Sequence, residues 1–206
     1  MADSICFSYD KRGLLAELAA FPPAARLACA TAAATRLMPA SERFASLLAP
    51  QTQGRAREIV AELWQCILAH DPDQQPWPAV LDEVMGMIPR EDVEGGLLTL
   101  MAEDALASLA YAIRCLLVDD AGQAEAAVGR EYDATDQAAI QLTGVVPNTP
   151  KKEARLLAHP LIQRALGRQR QDLILLRRGD IAELLRQAVA NPTFTEQELT
   201  AFSSVK

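Results

Sequence analysis

From residue 10 to residue 190 the apolar positions recur with a period near 3.6, and no stretch alternates apolar and polar residues convincingly for more than four positions. This pattern predicts an all-α fold: a single-domain bundle of about eight to ten helices around a long central one. Residues 1–9 read as an N-terminal arm, 10–190 as the bundle, and 191–206 as a tail with room for one short helix. Ser8 or Asp10 caps a first helix carrying Leu14, Leu15 and Leu18, which stops before Pro22 and Pro23 because proline disfavours helical geometry in the residue before it. The second helix runs to about Met38 and is so rich in alanine that close packing in the interior is expected. Pro39 is expected to start a separate short helix that ends before Pro50.

A fourth helix over 54–70 places Ile59, Val60, Leu63, Trp64, Ile67 and Leu68 on one stripe. Three prolines within 70–78 mark a loop, and Val80, Leu81, Val84, Met85 and Ile88 mark a short amphipathic helix after it. Glu91, Asp92 and Glu94 then open the longest helical segment, where negative charge suits the helix dipole. That segment continues to about Val118 and is apolar nearly all round, as befits the centre of a bundle. Further helices follow over about 121–142, from Lys151 to a division at Pro160, over 161–178 and over 181–190. Asp119 and Asp120 cap the first of these, and Gly179 with Asp180 separates the last two. In the tail, Thr195 stands three residues before Glu198 in the spacing of a capping box.

Composition narrows the classes. The chain has 206 residues, half of them apolar, so a sizeable core forms without disulfides or structural metal. Cys6, Cys29, Cys66 and Cys115 lie far apart with no Cys-x-x-Cys pair; the last three sit among apolar neighbours as small hydrophobes. Uninterrupted apolar runs reach nine residues, about half of what crosses a bilayer. No membrane span, no secretory signal and a cytoplasmic location are therefore expected.

The net charge of −7 is uneven: residues 1–150 hold 10 basic and 21 acidic side chains, net −11, and residues 151–186 hold 9 and 4, net +5. The basic segment has no aromatic residue for base stacking, and the overall charge repels phosphate, so nucleic acid is not an expected partner. Packing of the basic helices beside acidic surfaces, within the chain or between two copies, fits better.

Candidate chemistry is sparse. His70, Asp71 and Asp73 put three oxygen or nitrogen donors into four positions, but a turn rich in proline carries Asp for its own reasons. Glu91 with Glu94, and Glu131 and Asp133 with Asp136, offer carboxylate pairs that two facing helices could use to hold magnesium. The first pair sits in a helix-opening turn, which weakens that reading. Asp104 shares a face with Leu97, Met101, Ser108 and Tyr111 on the long helix, so it is expected to be a buried acid needing a partner such as Ser108, Arg36 or Arg114. Neither histidine is placed for nucleophilic catalysis, no glycine-rich phosphate loop occurs, and no catalytic residue, metal or cofactor is assigned.

The stretch Phe21-Pro-Pro-Ala-Ala-Arg-Leu-Ala-Cys-Ala, then Thr35-Arg-Leu-Met-Pro and Glu42-Arg-Phe, resembles the opening of the YjaG-like family of bacterial proteins of unknown function. The 59–68 helix with its tryptophan, Ile88-Pro89, Ala102-Glu-Asp-Ala, Ser108-Leu and His159-Pro-Leu-Ile followed by Gln169 and Leu173 continue the likeness in order over about residues 12–178. The resemblance implies a compact, all-helical cytoplasmic protein and supplies no catalytic residues. Two functions follow as expectations. The first is a non-enzymatic domain, regulatory or of inhibitor (immunity) type, that binds an unidentified protein or its own copy, with Asp82, Glu83, Glu91, Asp92 and Glu94 as an acidic contact surface. The alternative is an enzyme or ligand-binding protein with a pocket between helices near Asp104.

Overall fold

The computed structural model describes residues 6–71, 75–89 and 96–203. Within them the chain forms α1 (Lys11–Ala20), α2 (Pro23–Leu48), a 3₁₀ turn (Pro50–Thr52), α3 (Arg55–Ala69), α4 (Trp77–Met87), α5 (Gly96–Val118), α6 (Ala121–Thr143), α7 (Pro150–Leu157), α8 (Pro160–Arg177), α9 (Ile181–Ala190) and α10 (Glu196–Phe202), with no strand among the described residues. The all-α expectation holds.

The centre of the bundle is α2, which packs against α3, α5, α6, α8, α9 and α10. Its small residues permit this: Ala28, Ala30, Ala32, Ala33 and Ala34 are all buried, and their short side chains let neighbouring backbones close in. The long helix that opens near Glu91 was expected to fill this role. The described part of that segment, α5, forms the other half of the central pair. By length and apolar content α5 is also long enough to cross a membrane, but 67% of its most apolar stretch is buried inside the bundle.

Pro39 does not start a new helix. It lies inside the continuous α2, where it removes one intrahelical donor. A proline at this position also loosens the carbonyls three and four residues back, and the Arg36 carbonyl accepts a bond from the Thr193 N–H at 2.9 Å. At the residue before Arg36, the Thr35 hydroxyl donates to the Thr31 carbonyl and accepts the Trp64 indole N–H at 2.9 Å. Contacts from α3 and the C-terminal segment thus hold together a helix that local rules would divide.

The C-terminal segment is more than a tail. The Thr195–Glu198 capping box forms as its spacing predicts, and Phe194, Leu199 and Phe202 are buried in the main core, the two rings meeting edge to face at 5.4 Å. Asp10, Asp120 and Asp180 all cap helices through their side chains, whereas Asp119, expected to share the cap of α6, closes α5 instead. A smaller core of Ala139, Val145, Leu156, Ile162 and Leu166 lies beneath Phe7 and Tyr9 of the N-terminal arm.

Candidate functional site

Three helix ends converge at one end of the bundle. The Pro22–Pro23 pair starts α2; α3 closes with the His70 N–H bonded back to the Ile67 carbonyl and the Asp71 N–H to that of Cys66; α5 closes with the Asp119 N–H on the Cys115 carbonyl at 3.0 Å. Between them lies a cavity of about 330 Å³ whose lining includes Leu27, Cys66, Ile67, Cys115, His70 and Asp119. Burial pushes the Cys115 thiol up to about 11, so it is protonated at neutral pH and serves as soft apolar lining rather than as a nucleophile. The rim is charged: Arg26 donates to the Asp119 carboxylate at 2.5 Å and to the Phe21 carbonyl at 2.9 Å.

His70 and Asp119 have φ of 55° and 47°, and among the described residues no other non-glycine residue has a positive φ. At Gly54, Gly96, Gly144 and Gly179 the chain uses glycine for the same backbone region. The two helix ends that carry a side chain at a conformational cost of about 1–2 kcal/mol are the two that border this cavity.

Asp104 is buried as expected, at 2% exposure, but its partner is none of the three anticipated. Arg130 on α6 donates to Oδ1 at 3.2 Å, and Oδ2 has no hydrogen-bond partner. The anticipated partners are engaged elsewhere. Ser108 donates to the Ala127 carbonyl, Arg114 lies 5.5 Å from the Tyr111 ring, and Arg36 faces Asp172. Burial raises the Asp104 carboxyl to about 7 against the opposing pull of Arg130. Asp104 lines neither this cavity nor a second one of about 290 Å³ between the N-terminal arm, α1 and α8.

A second buried charge cluster escaped the sequence reading. Arg36, on the alanine-rich helix, is 2% exposed and grips Asp172 of α8 through two bonds of 2.6 and 2.5 Å. Fully buried Glu131 of α6 stands 3.8 Å from the same guanidinium and accepts from the Thr193 hydroxyl at 2.9 Å. Asp172 takes both short bonds, and burial raises the Glu131 pKa, favouring its neutral form, against the pull of Arg36 and, more weakly, of Arg168. The arrangement fastens α2, α6, α8 and the C-terminal segment to one another. It turns Glu131 away from Asp133 and Asp136, with which the carboxylate-pair reading had grouped it.

Of the five residues expected to form an acidic surface, Asp82 and Glu83 are exposed on α4. Glu83 accepts from Arg55 at 2.8 and 2.9 Å, which lowers its pKa. Glu91, Asp92 and Glu94 lie outside the described residues, as does Asp73 of the loop that was considered for metal. Among the described residues no group of three His, Cys, Asp or Glu side chains is placed to hold a metal ion. Part of the basic segment is matched within the chain: Arg164 to Glu198 at 2.8 Å, Arg177 to Glu17 at 2.6 Å, and Arg168 to the Pro192 carbonyl at 2.6 Å.

Fold and site together define an all-helical domain with an apolar cavity at the junction of three helix ends. The chain is similar in structure to a DUF416 family protein from Shewanella baltica OS155, with a TM-score of 0.72 over 86% of this chain and 94% of that one, at 14% sequence identity. At that identity the likeness shows the fold alone. No family model and no curated protein matches the sequence.

Proposed function

We propose that this protein is a non-enzymatic binding domain of the YjaG-like type, whose ligand is a compact, largely apolar molecule seated where α2, α3 and α5 meet. The order of the sequence motifs supports the family, and the fold likeness to the DUF416 protein accords with its all-helical architecture. The observation that carries the binding reading is the pairing of a cavity with His70 and Asp119, side chains kept on its rim where glycine would cost less. At about 330 Å³ the cavity lies at the small end of ligand pockets, which sets the size of molecule it accepts.

An inhibitor-type reading, in which α4 meets a basic protein, has exposed Asp82 in its favour, but Glu83 is already held by Arg55. The enzyme reading centred on Asp104 has less support, because that carboxylate lines neither cavity described above.

A thermal-shift screen with small aromatic and aliphatic fragments tests the proposal. A ligand at one hundred times its Kd stabilises by about 2.7 kcal/mol, or about 5–10 °C in a chain of this size. Ala24→Phe, which fills the cavity from α2, is expected to abolish the shift while leaving the helical signal intact. Hits that persist in Ala24→Phe would place binding elsewhere and sink the reading.

A further inference from the structure

The N-terminal arm is held as a bound peptide would be. Gln163 on α8 grips the main chain of Phe7 at both of its polar groups: the Phe7 N–H donates to Oε1 at 2.7 Å, and Nε2 donates to the Phe7 carbonyl at 2.8 Å. The same Nε2 donates to the Leu157 carbonyl at 2.7 Å, which fixes the orientation of the amide. Two residues on, the Tyr9 ring stacks on Tyr132 with centroids 4.4 Å apart, and its hydroxyl donates to buried Glu125 at 2.9 Å. Gly129 makes room for that hydroxyl, since a Cβ there would stand 2.9 Å from it. The Arg170 guanidinium covers the Phe7 ring at 4.8 Å, while Ser8 between the two aromatics is exposed.

These contacts read a sequence rather than merely a hydrophobic surface. One amide recognises the main chain, one flat seat takes the first ring, and a stacking partner with a carboxylate takes a phenol two residues later. The arm is not sealed down by close packing, because a cavity of about 290 Å³ lies alongside it against α1 and α8. We infer that the groove between α6 and α8 is a recognition site for a non-helical aromatic-x-tyrosine segment. The chain's own Phe7-Ser8-Tyr9 is its resident occupant, and the partner it fits is a protein that presents the same pattern in an unfolded stretch.

The site competes with itself, since a tethered arm acts at an effective concentration in the millimolar range. The probe is the peptide acetyl-Ser-Phe-Ser-Tyr-Asp-amide, titrated by calorimetry into the full-length chain and into full-length Phe7→Ala/Tyr9→Ala, whose seat is empty of rings. The double variant is expected to bind at least tenfold more tightly than the unaltered chain. Adding Gln163→Ala is expected to weaken binding about tenfold or more, through loss of both main-chain bonds. A peptide with Ala in place of both aromatics is expected not to bind.

Absence of binding to a double variant with native circular dichroism would overturn the inference, as would binding indifferent to Gln163→Ala. If the double variant does not fold, hydrogen exchange on the unaltered chain decides. Excess peptide should speed exchange of the Phe7 amide, and unchanged protection at millimolar peptide would overturn the inference equally.

Discussion

His70 and Asp119 stand at helix ends where an L side chain is strained, and the strain makes a direct prediction. His70 is exposed and has a single weak local contact, from Nδ1 to the Leu68 carbonyl at 3.2 Å, so its side chain adds little to the fold. His70→Gly should therefore stabilise the ligand-free protein by about 1 kcal/mol in urea unfolding, since glycine adopts this backbone freely. It should also weaken binding of any fragment found by the thermal-shift screen. A variant that is no more stable would show that the side chain contributes to folding, and one that binds equally well would remove His70 from the rim. Arg36 is the opposite case, a charged group so enclosed that its loss would strand two acids in the core.

Among the elements, α2 shows most clearly where local rules stop. A proline inside a helix costs about 3 kcal/mol when only the helix is at stake. Here the carbonyl next to the broken hydrogen bond is the one that receives Thr193, so the irregularity is used to dock the C-terminal segment. Pro39→Ala should regain much less than 3 kcal/mol, and amide exchange over 193–202 should quicken as the restored N–H at position 39 closes on the Thr35 carbonyl and tightens the helix around the Arg36 carbonyl that Thr193 uses. A gain of the full amount with no change in that exchange would show that Pro39 has no part in docking the C-terminal segment.

The same comparison explains what was legible in the sequence. Helix existence and caps were readable because they depend on residues within a few positions: Asp10, Asp120, Asp180 and the Thr195–Glu198 box all act as their spacing says. The continuity of α2 was not, because contacts with Trp64 and Thr193 decide it. The cavity was hidden for the same reason, its walls coming from residues 23–27, 66–71 and 115–119. One signal was available: His70 and Asp119 follow apolar helical runs at positions where glycine is usual. The partner of Asp104 lay on α6, and periodicity names a face of a helix but not what crosses it.

At the scale of the whole molecule, the division into an acidic body and a basic C-terminal segment resolves partly into internal pairing, with Arg164, Arg177 and the Arg36–Asp172 grip joining distant parts of the chain. Burial raises the pKa of Asp104, Glu131, Asp133 and Asp136 together. A group raised in this way binds its proton more tightly in the folded state than in the unfolded one. Its contribution to stability is complete below the unfolded pKa and is lost as pH rises through the folded pKa. For Asp104 that window runs from 3.8 to about 7. Unfolding free energy should therefore decline between pH 4 and pH 7, opposite to the trend set by Glu83, whose carboxylate Arg55 holds in its charged form. Asp104→Asn removes the largest titration whose span is defined, while an amide oxygen can still accept from Arg130. Urea titrations of both proteins at pH 4, 5, 6 and 7 should show the substituted chain losing less stability across the window. Parallel curves would mean that Asp104 keeps an ordinary carboxylate pKa, and that Arg130 alone outweighs its burial.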